Sequence, residues 1–312
     1  MKGLRIKLKF DRVFKLGYIM VNGISNGRLE GLYYSNAGAS CVSILGCVFI
    51  LSMYLLFKEI NRYPYIIIAI LSGLDLLNSI SFTIPTYENS LSDNICVLQG
   101  VLMNFSTFAS MIWSTIIAVY LYAIVVKGRM DIFKFTKWYF LFDLLLAGVL
   151  TVLPNFYESR NTVIGYCWLY RGGSKEQYIK RFIAFLVPFW AIAFINIAIY
   201  VAVLINLKAG IGGEDAQVRK RLAIKLGVYP LFIFLCYLPY SVKGVLEINQ
   251  EWNRFKYEYG FTLVAGVFRC LIGFVNAMIY GLTGNVRKIL KERIRKKKKE
   301  MVSCQLLNKA GA

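Results

Sequence analysis

Phe182 to Leu207 reads FIAFLVPFWAIAFINIAIYVAVLINL and contains no charged residue. A bilayer's hydrocarbon core is about 30 Å thick, so a spanning helix needs about 20 apolar residues. This stretch meets that length with residues to spare. Six others share its character: Ala37 to Phe57, Tyr65 to Tyr87, Cys96 to Val126, Tyr139 to Leu153 (the shortest), Leu222 to Val242 and Phe261 to Leu282. With 57% hydrophobic residues, 17% charged residues and a mean hydropathy of +0.54, the chain departs from soluble domains. The expected fold is all-α, a seven-transmembrane-helix bundle over 35–284. A basic tail over 1–34, extracellular or partly outside the mature protein, precedes it. A basic cytoplasmic segment over 285–312, with a short amphipathic membrane-surface helix, follows it.

Lysine and arginine in the loops set the orientation. With the amino terminus outside, the cytoplasmic loops and carboxyl tail carry twenty basic residues against eight on the opposite side. That asymmetry predicts a cytoplasmic carboxyl terminus. Seven basic residues before Tyr34 (Lys2, Arg5, Lys7, Lys9, Arg12, Lys15 and Arg28) run against it and narrow the contrast.

The chain has no histidine. His-based general base catalysis, Ser-His-Asp and Cys-His nucleophiles and histidine metal ligation are thereby removed. Neither an enzymatic activity, a cofactor nor a metal site is expected. The seventh stretch also lacks the lysine that a retinal Schiff base would need.

Of seven cysteines, Cys41, Cys47, Cys236 and Cys270 fall inside spans and read as small apolar packing residues. Cys96 meets the outer face and Cys167 lies in the longest outer loop. A disulfide between them is chemically permitted in that compartment, with two unpaired thiols as the alternative. It would close a loop of about 70 residues and stabilise the fold by about 2–4 kcal/mol. Cys304, just after the basic run Arg293 to Lys299, is a candidate palmitoylation site.

Polar residues within the spans carry most of the functional signal. Asp75 is costly in hydrocarbon and must face the bundle interior or a water pocket. Asn78 lies one turn away on the same face, and Asn276 and Tyr280 share a face of the seventh span. Together these form a candidate switch network, a structural hydrogen bond to Asp75 being the alternative. Pro230 and Pro239 interrupt the sixth span and favour a kink on which a helix can pivot. Arg269 lies eight residues into the seventh span, about 12 Å below its outer end. With Asn104 at similar depth in the third span it could bind an anionic or polar ligand, or else be satisfied by backbone carbonyls or by snorkelling. Trp113, Trp190 and Tyr237 are candidates for the floor of that cavity, or core packing. At the inner face, Asn285 to Lys299 reads as a basic amphipathic helix that attracts anionic lipids. Nucleic acid is not an expected partner.

Several strings, in order on the seven stretches, carry a family resemblance. They are Ala39-Ser40 with Ser43-Ile44-Leu45-Gly46, Tyr54-Leu55-Leu56-Phe57-Lys58, Leu71-Ser72-Gly73-Leu74-Asp75-Leu76-Leu77, Cys96 to Gly100 with Trp113, Gly165-Tyr166-Cys167-Trp168, Tyr229-Pro230, Leu238-Pro239 and Asn276-Ala277-Met278-Ile279-Tyr280-Gly281. From about Ser35 to Lys291 the chain resembles G-protein-coupled receptors of the cyclic-AMP-receptor-like family of slime moulds and other protists, with some secretin and adhesion-like features. It departs from the rhodopsin-like pattern. The inner end of the third span reads Tyr120-Leu121-Tyr122 in place of an acidic-Arg-Tyr triplet, Ala277 replaces a proline and Tyr237 a tryptophan. The resemblance implies a plasma-membrane receptor for an extracellular ligand. It also implies a heterotrimeric G protein docking at the inner ends of the third, fifth and sixth spans, near Lys127, Arg129, Arg219, Lys220 and Arg221. A small transporter or channel is the alternative. Transporters commonly show internal repeats, and none relates the first three spans to the last three.

Overall fold

The computed structural model describes residues 26–57, 63–85, 93–129, 131–155, 160–161, 168–169, 179–180, 182–208, 232–233, 235–246, 258–281, 292 and 295. Five helices long and apolar enough to cross a bilayer are present among them, and a bent pair forms a sixth. In chain order these are α1 (Asn26–Leu56), α2 (Tyr63–Thr83), α3 (Asp93–Val125), α4 (Thr136–Asn155), α5 (Val187–Lys208), and the pair α7 (Glu258–Cys270) and α8 (Ile272–Asn276). Between α5 and α7, residues 235–246 form the helix α6, preceded by the helical residues 232–233, while 209–231 and 234 lie outside the described residues. The expected helical membrane bundle is what the chain builds.

Boundaries differ from the apolar stretches in ways that helix physics explains. Helix α1 begins at Asn26, well before Ala37, so Arg28 lies on it rather than on the tail. Leu29, Glu30 and Leu32 are good helix formers, and a helix is free to run past the hydrocarbon. Tyr33 fastens this extension by donating its hydroxyl to Thr83 O on α2 at 2.9 Å. The fourth span is a full 20-residue helix preceded by a 3-10 turn, Asp131–Phe135, so it is not short. Gly128, at φ 62°, supplies the left-handed turn that closes α3, and the Arg129 amide returns to Ala123 O at 3.0 Å. A π turn, Phe182–Leu186, opens the fifth span.

Helix α3 is the centre of the bundle and touches α2, α4 and α5, while α1 packs on α2, α7 and α8. Most of α3 is buried, whereas α4 and α5 expose Leu145, Phe194 and Ile205. Such faces suit hydrocarbon rather than water.

The break in the seventh span has a specific cause. In an unbroken helix the Phe274 amide would bond to Cys270 O, four residues back. The Ser43 hydroxyl of α1 enters that gap, accepting from Phe274 N at 3.1 Å and donating to Cys270 O at 2.5 Å. A side chain inserted into the backbone ladder is a recognised origin of a kink, and here α7 and α8 meet at 43°. Small residues permit the approach: a Cβ on Gly46 would lie 2.9 Å from Ala277 Cβ, and one on Gly273 would lie 2.8 Å from Cys47 Sγ. Ser43→Ala is expected to straighten the seventh span or to leave a backbone pair unsatisfied. The second outcome costs about 1–3 kcal/mol, read as a lowered melting temperature in detergent.

Candidate functional site

Asp75 of α2 is 2% exposed, and both of its carboxylate oxygens are used. The Ser110 hydroxyl of α3 donates to Oδ1 at 2.5 Å, and Asn276 Nδ2 of α8 donates to Oδ2. Tyr280 is buried within electrostatic range of the same carboxylate. One turn on, Asn78 Oδ1 accepts from Ser106 Oγ at 3.3 Å and Thr107 Oγ1 at 3.4 Å, both on α3. Asp75 and Asn276 thus meet as the sequence suggests, whereas Asn78 turns to α3.

Thr107 then connects to Arg269, whose Nη2 donates to the Thr107 hydroxyl at 3.3 Å. The guanidinium is 1% exposed and lies under four rings: Phe82 at 5.3 Å, Tyr240 at 5.4 Å, Phe185 at 5.5 Å and Tyr237 at 5.6 Å. Each is inside the roughly 6 Å reach of a cation–π contact, which is worth most where water is excluded. The Tyr237 side chain also lies within electrostatic range of Arg269. The cage draws one ring from α2, one from the turn before α5 and two from α6. A shift of α6 would therefore uncover the cation. The polar ladder along α2 and α3 thus has two separate rungs one turn apart, Arg269–Thr107–Asn78 and Asn276–Asp75–Ser110.

The remaining candidates are distributed around this ladder. Asn104 is buried on α3, one turn before Thr107. Trp113 lies deeper, donating its indole N–H to Ile67 O at 2.7 Å and meeting Phe140 of α4 edge-on. Trp190 is half-buried and stacks edge-on with Phe189, which in turn contacts Tyr237 at 4.7 Å between ring centroids. Pro239 lies within α6, while Pro230 falls outside the described residues. Lys243, which follows the apolar stretch Leu222 to Val242 and so counts among the eight basic residues expected on the outer side, is instead buried on α6, one turn beyond Tyr240. Ser106, Thr107 and Ser110, the ring donors Phe82, Phe185 and Tyr240, and Ser43 are absent from the sequence-based candidates. The α3 serine and threonine stripe, at three- and four-residue spacing, was the available signal.

At the amino-terminal end of α3, Cys96 is disulfide-bonded, and Cys41, Cys47, Cys236 and Cys270 are free; Cys167 lies outside the described residues. Arg160–Asn161 and Trp168–Leu169 pair as a two-stranded antiparallel ribbon resting against α3. At the opposite end, Lys127 and Arg129 are exposed, with Lys127 Nζ 5.7 Å from the Tyr122 ring centroid. Arg219, Lys220, Arg221 and Cys304 lie outside the described residues. Within the carboxyl segment Glu292 and Arg295 are described, and both are helical and exposed.

Asp143 of α4 is fully buried, and its carboxylate oxygens find no hydrogen-bond partner among the described residues. A buried polar group without a partner costs about 1–3 kcal/mol in mutational data. Asp143→Leu, which keeps the number and branching of the side-chain heavy atoms, is expected to raise the melting temperature, and a fall of several degrees would show that this carboxylate holds a structural contact.

A sequence model of a family described as slime mold cyclic AMP receptor matches residues 37–214. G-protein coupled receptor 1 of Arabidopsis thaliana is 24% identical over 282 residues, covering 87% of this chain and 84% of that protein. Cyclic AMP receptor-like protein A of Dictyostelium discoideum is 24% identical over 247 residues, covering 78% of this chain and 62% of that protein. Cyclic AMP receptor 1 of the same organism is 26% identical over 156 residues, covering 48% and 39% respectively.

Proposed function

The chain belongs to the slime mold cyclic AMP receptor family, and from that premise we propose that it is a plasma-membrane receptor coupling an extracellular ligand to a heterotrimeric G protein. The observation that carries this reading is the caged Arg269, bonded to Thr107 and through it to Asn78, one turn of α2 from Asp75. A ligand shifts a conformational equilibrium only by its differential affinity for the two states. Here the two states differ in whether Tyr237 and Tyr240 of α6 cover the guanidinium. A small anionic ligand that takes the place of those rings engages Arg269 through a two-pronged hydrogen bond to phosphate or carboxylate. Lys243, on α6, adds a second cation. Displacing the rings moves α6 outward at its inner end, where Lys127, Arg129, Arg219, Lys220 and Arg221 form the surface for the G protein.

Cys167 is the proposed partner of Cys96, since the free thiols leave only Cys167 and Cys304 among the other cysteines. Cys167→Ser is then expected to free the Cys96 thiol for labelling by a maleimide, whereas Cys304→Ser leaves it protected. We propose a cytoplasmic carboxyl terminus, its basic segment against anionic lipid and Cys304 available for palmitoylation.

The test is nucleotide exchange on a co-expressed heterotrimeric G protein, in membranes containing the full chain. The panel begins with cyclic nucleotides, because relatives are named as cyclic AMP receptors, and extends to organic acids, amines and peptides. Accelerated exchange with an anionic member supports the reading. A flat response across the panel removes it.

A further inference from the structure

A groove of about 570 Å³ opens between α3, α4 and α5 on the outside of the bundle and shares no lining residue with the Arg269 cage. That volume falls within the roughly 300–1,000 Å³ of small-molecule sites. Its walls include Ile112, Thr115 and Val119 of α3, Trp138 and Phe142 of α4 and Ile195 of α5. Two wall hydroxyls are already committed inward. Thr115 Oγ1 accepts from Asn196 Nδ2 at 2.8 Å, and the Tyr120 hydroxyl pairs with Thr136 Oγ1 at 2.8 Å. The surface turned to the occupant is apolar, and a groove left empty in hydrocarbon forfeits dispersion contacts.

Length and charge identify the occupant. From Ile112 to Tyr120 the groove follows α3 for about 12 Å, close to the roughly 15 Å that one leaflet contributes to the hydrocarbon core. It ends at the connection between α3 and α4, where Trp138 is 69% exposed, the position of an interfacial tryptophan. Between Lys127 and Trp138 stand four cations (Lys127, Arg129, Lys134 and Lys137) and one carboxylate, Asp131. Asp131 takes Lys134 at 3.2 Å, but both side chains are at least 75% exposed, and such surface pairs hold weakly. An apolar slot one leaflet deep with a cationic mouth matches an anionic phospholipid.

We propose that the α3–α4–α5 groove binds an anionic phospholipid, with one acyl chain along α3 and the headgroup phosphate between Lys134 and Lys137. The site does not depend on the receptor reading or on which end of the chain is cytoplasmic.

The test uses the full chain in phosphatidylcholine vesicles doped with phosphatidylserine carrying a diazirine on one acyl chain, with the photolabelled peptides mapped by mass spectrometry. Label concentrates on the α3 and α4 peptides lining the groove, and unlabelled phosphatidylserine displaces it where phosphatidylcholine does not. Lys134→Gln and Lys137→Gln each weaken that competition about fivefold, the effect of one basic residue near an anionic surface. Val119→Trp, or Ile195→Trp if the first variant misfolds, fills the slot and abolishes the label without lowering the melting temperature. Three outcomes overturn the proposal: label spread evenly over the lipid-facing helices and indifferent to the filling variants; a diazirine sterol that labels the groove in preference to phosphatidylserine; or a groove protected by cross-linking between two copies of the chain.

Discussion

Asp75→Ala is expected to lower the stability of the bundle by about 2–6 kcal/mol, because it strands two buried donors, each costing about 1–3 kcal/mol when unpaired. Those donors are the Ser110 hydroxyl of α3 and the Asn276 amide of α8. The measurement is thermal unfolding of the purified chain in detergent, together with ligand-stimulated nucleotide exchange, which should be lost. Asp75→Asn keeps the shape but presents one acceptor instead of two, so it should fall between wild type and alanine. The decisive comparison is the swap. If the contact between positions 75 and 276 carries the coupling, Asp75→Asn combined with Asn276→Asp restores a carboxylate facing an amide. The double variant should then be more stable than the two single effects predict, by about 0.5–3 kcal/mol. Strict additivity would assign Asp75 to a local role within α2 and α3.

That Asp75 and Asn276 meet was legible in the sequence because both penalise exposure to hydrocarbon, which leaves the bundle interior as their common destination. The helical membrane bundle was legible for the same reason, since its apolar lengths are fixed by bilayer thickness. What the sequence did not disclose is where one helix's side chain satisfies another's backbone. Ser43 looks like a small residue in an apolar span, and nothing in its neighbours announces that it enters the Cys270 to Phe274 hydrogen bond of a helix 227 residues away. The aromatic cage was hidden similarly. Tyr237 was among the candidates, but Phe82, Phe185 and Tyr240 come from three segments, and in an apolar chain with 22 phenylalanines and 21 tyrosines each one is unremarkable. Lys243 was misplaced because the apolar run ends at Val242. A long aliphatic stem lets a lysine continue a helix with its carbon atoms packed.

Arg269 separates a structural cation from a functional one, because the two roles respond differently to the same substitutions. Arg269→Met retains most of the side-chain volume and removes the charge. Replacing a buried charge by an apolar group of similar size is often neutral or stabilising, so its melting temperature should hold or rise. Arg269→Ala opens a cavity among four rings and should cost about 2–5 kcal/mol, the range for large-to-small changes in a core. If the guanidinium serves only to tie α7 to α3 and α6, exchange activity should follow stability, and the methionine variant should signal normally. If it receives the anion, the methionine variant should fold well yet respond at least about 100-fold less sensitively, since hydrogen bonds to charged groups contribute about 1.5–3 kcal/mol each and two are lost. Arg269→Lys sharpens the distinction. It keeps the charge and the cation–π attraction of the cage but offers a point charge where arginine offers a planar fork. A ligand bound by charge alone would tolerate lysine, whereas one held by paired oxygens would not. A stable methionine variant with full sensitivity would move the ligand away from Arg269 altogether and leave Lys243 as the buried cation on α6 to test next.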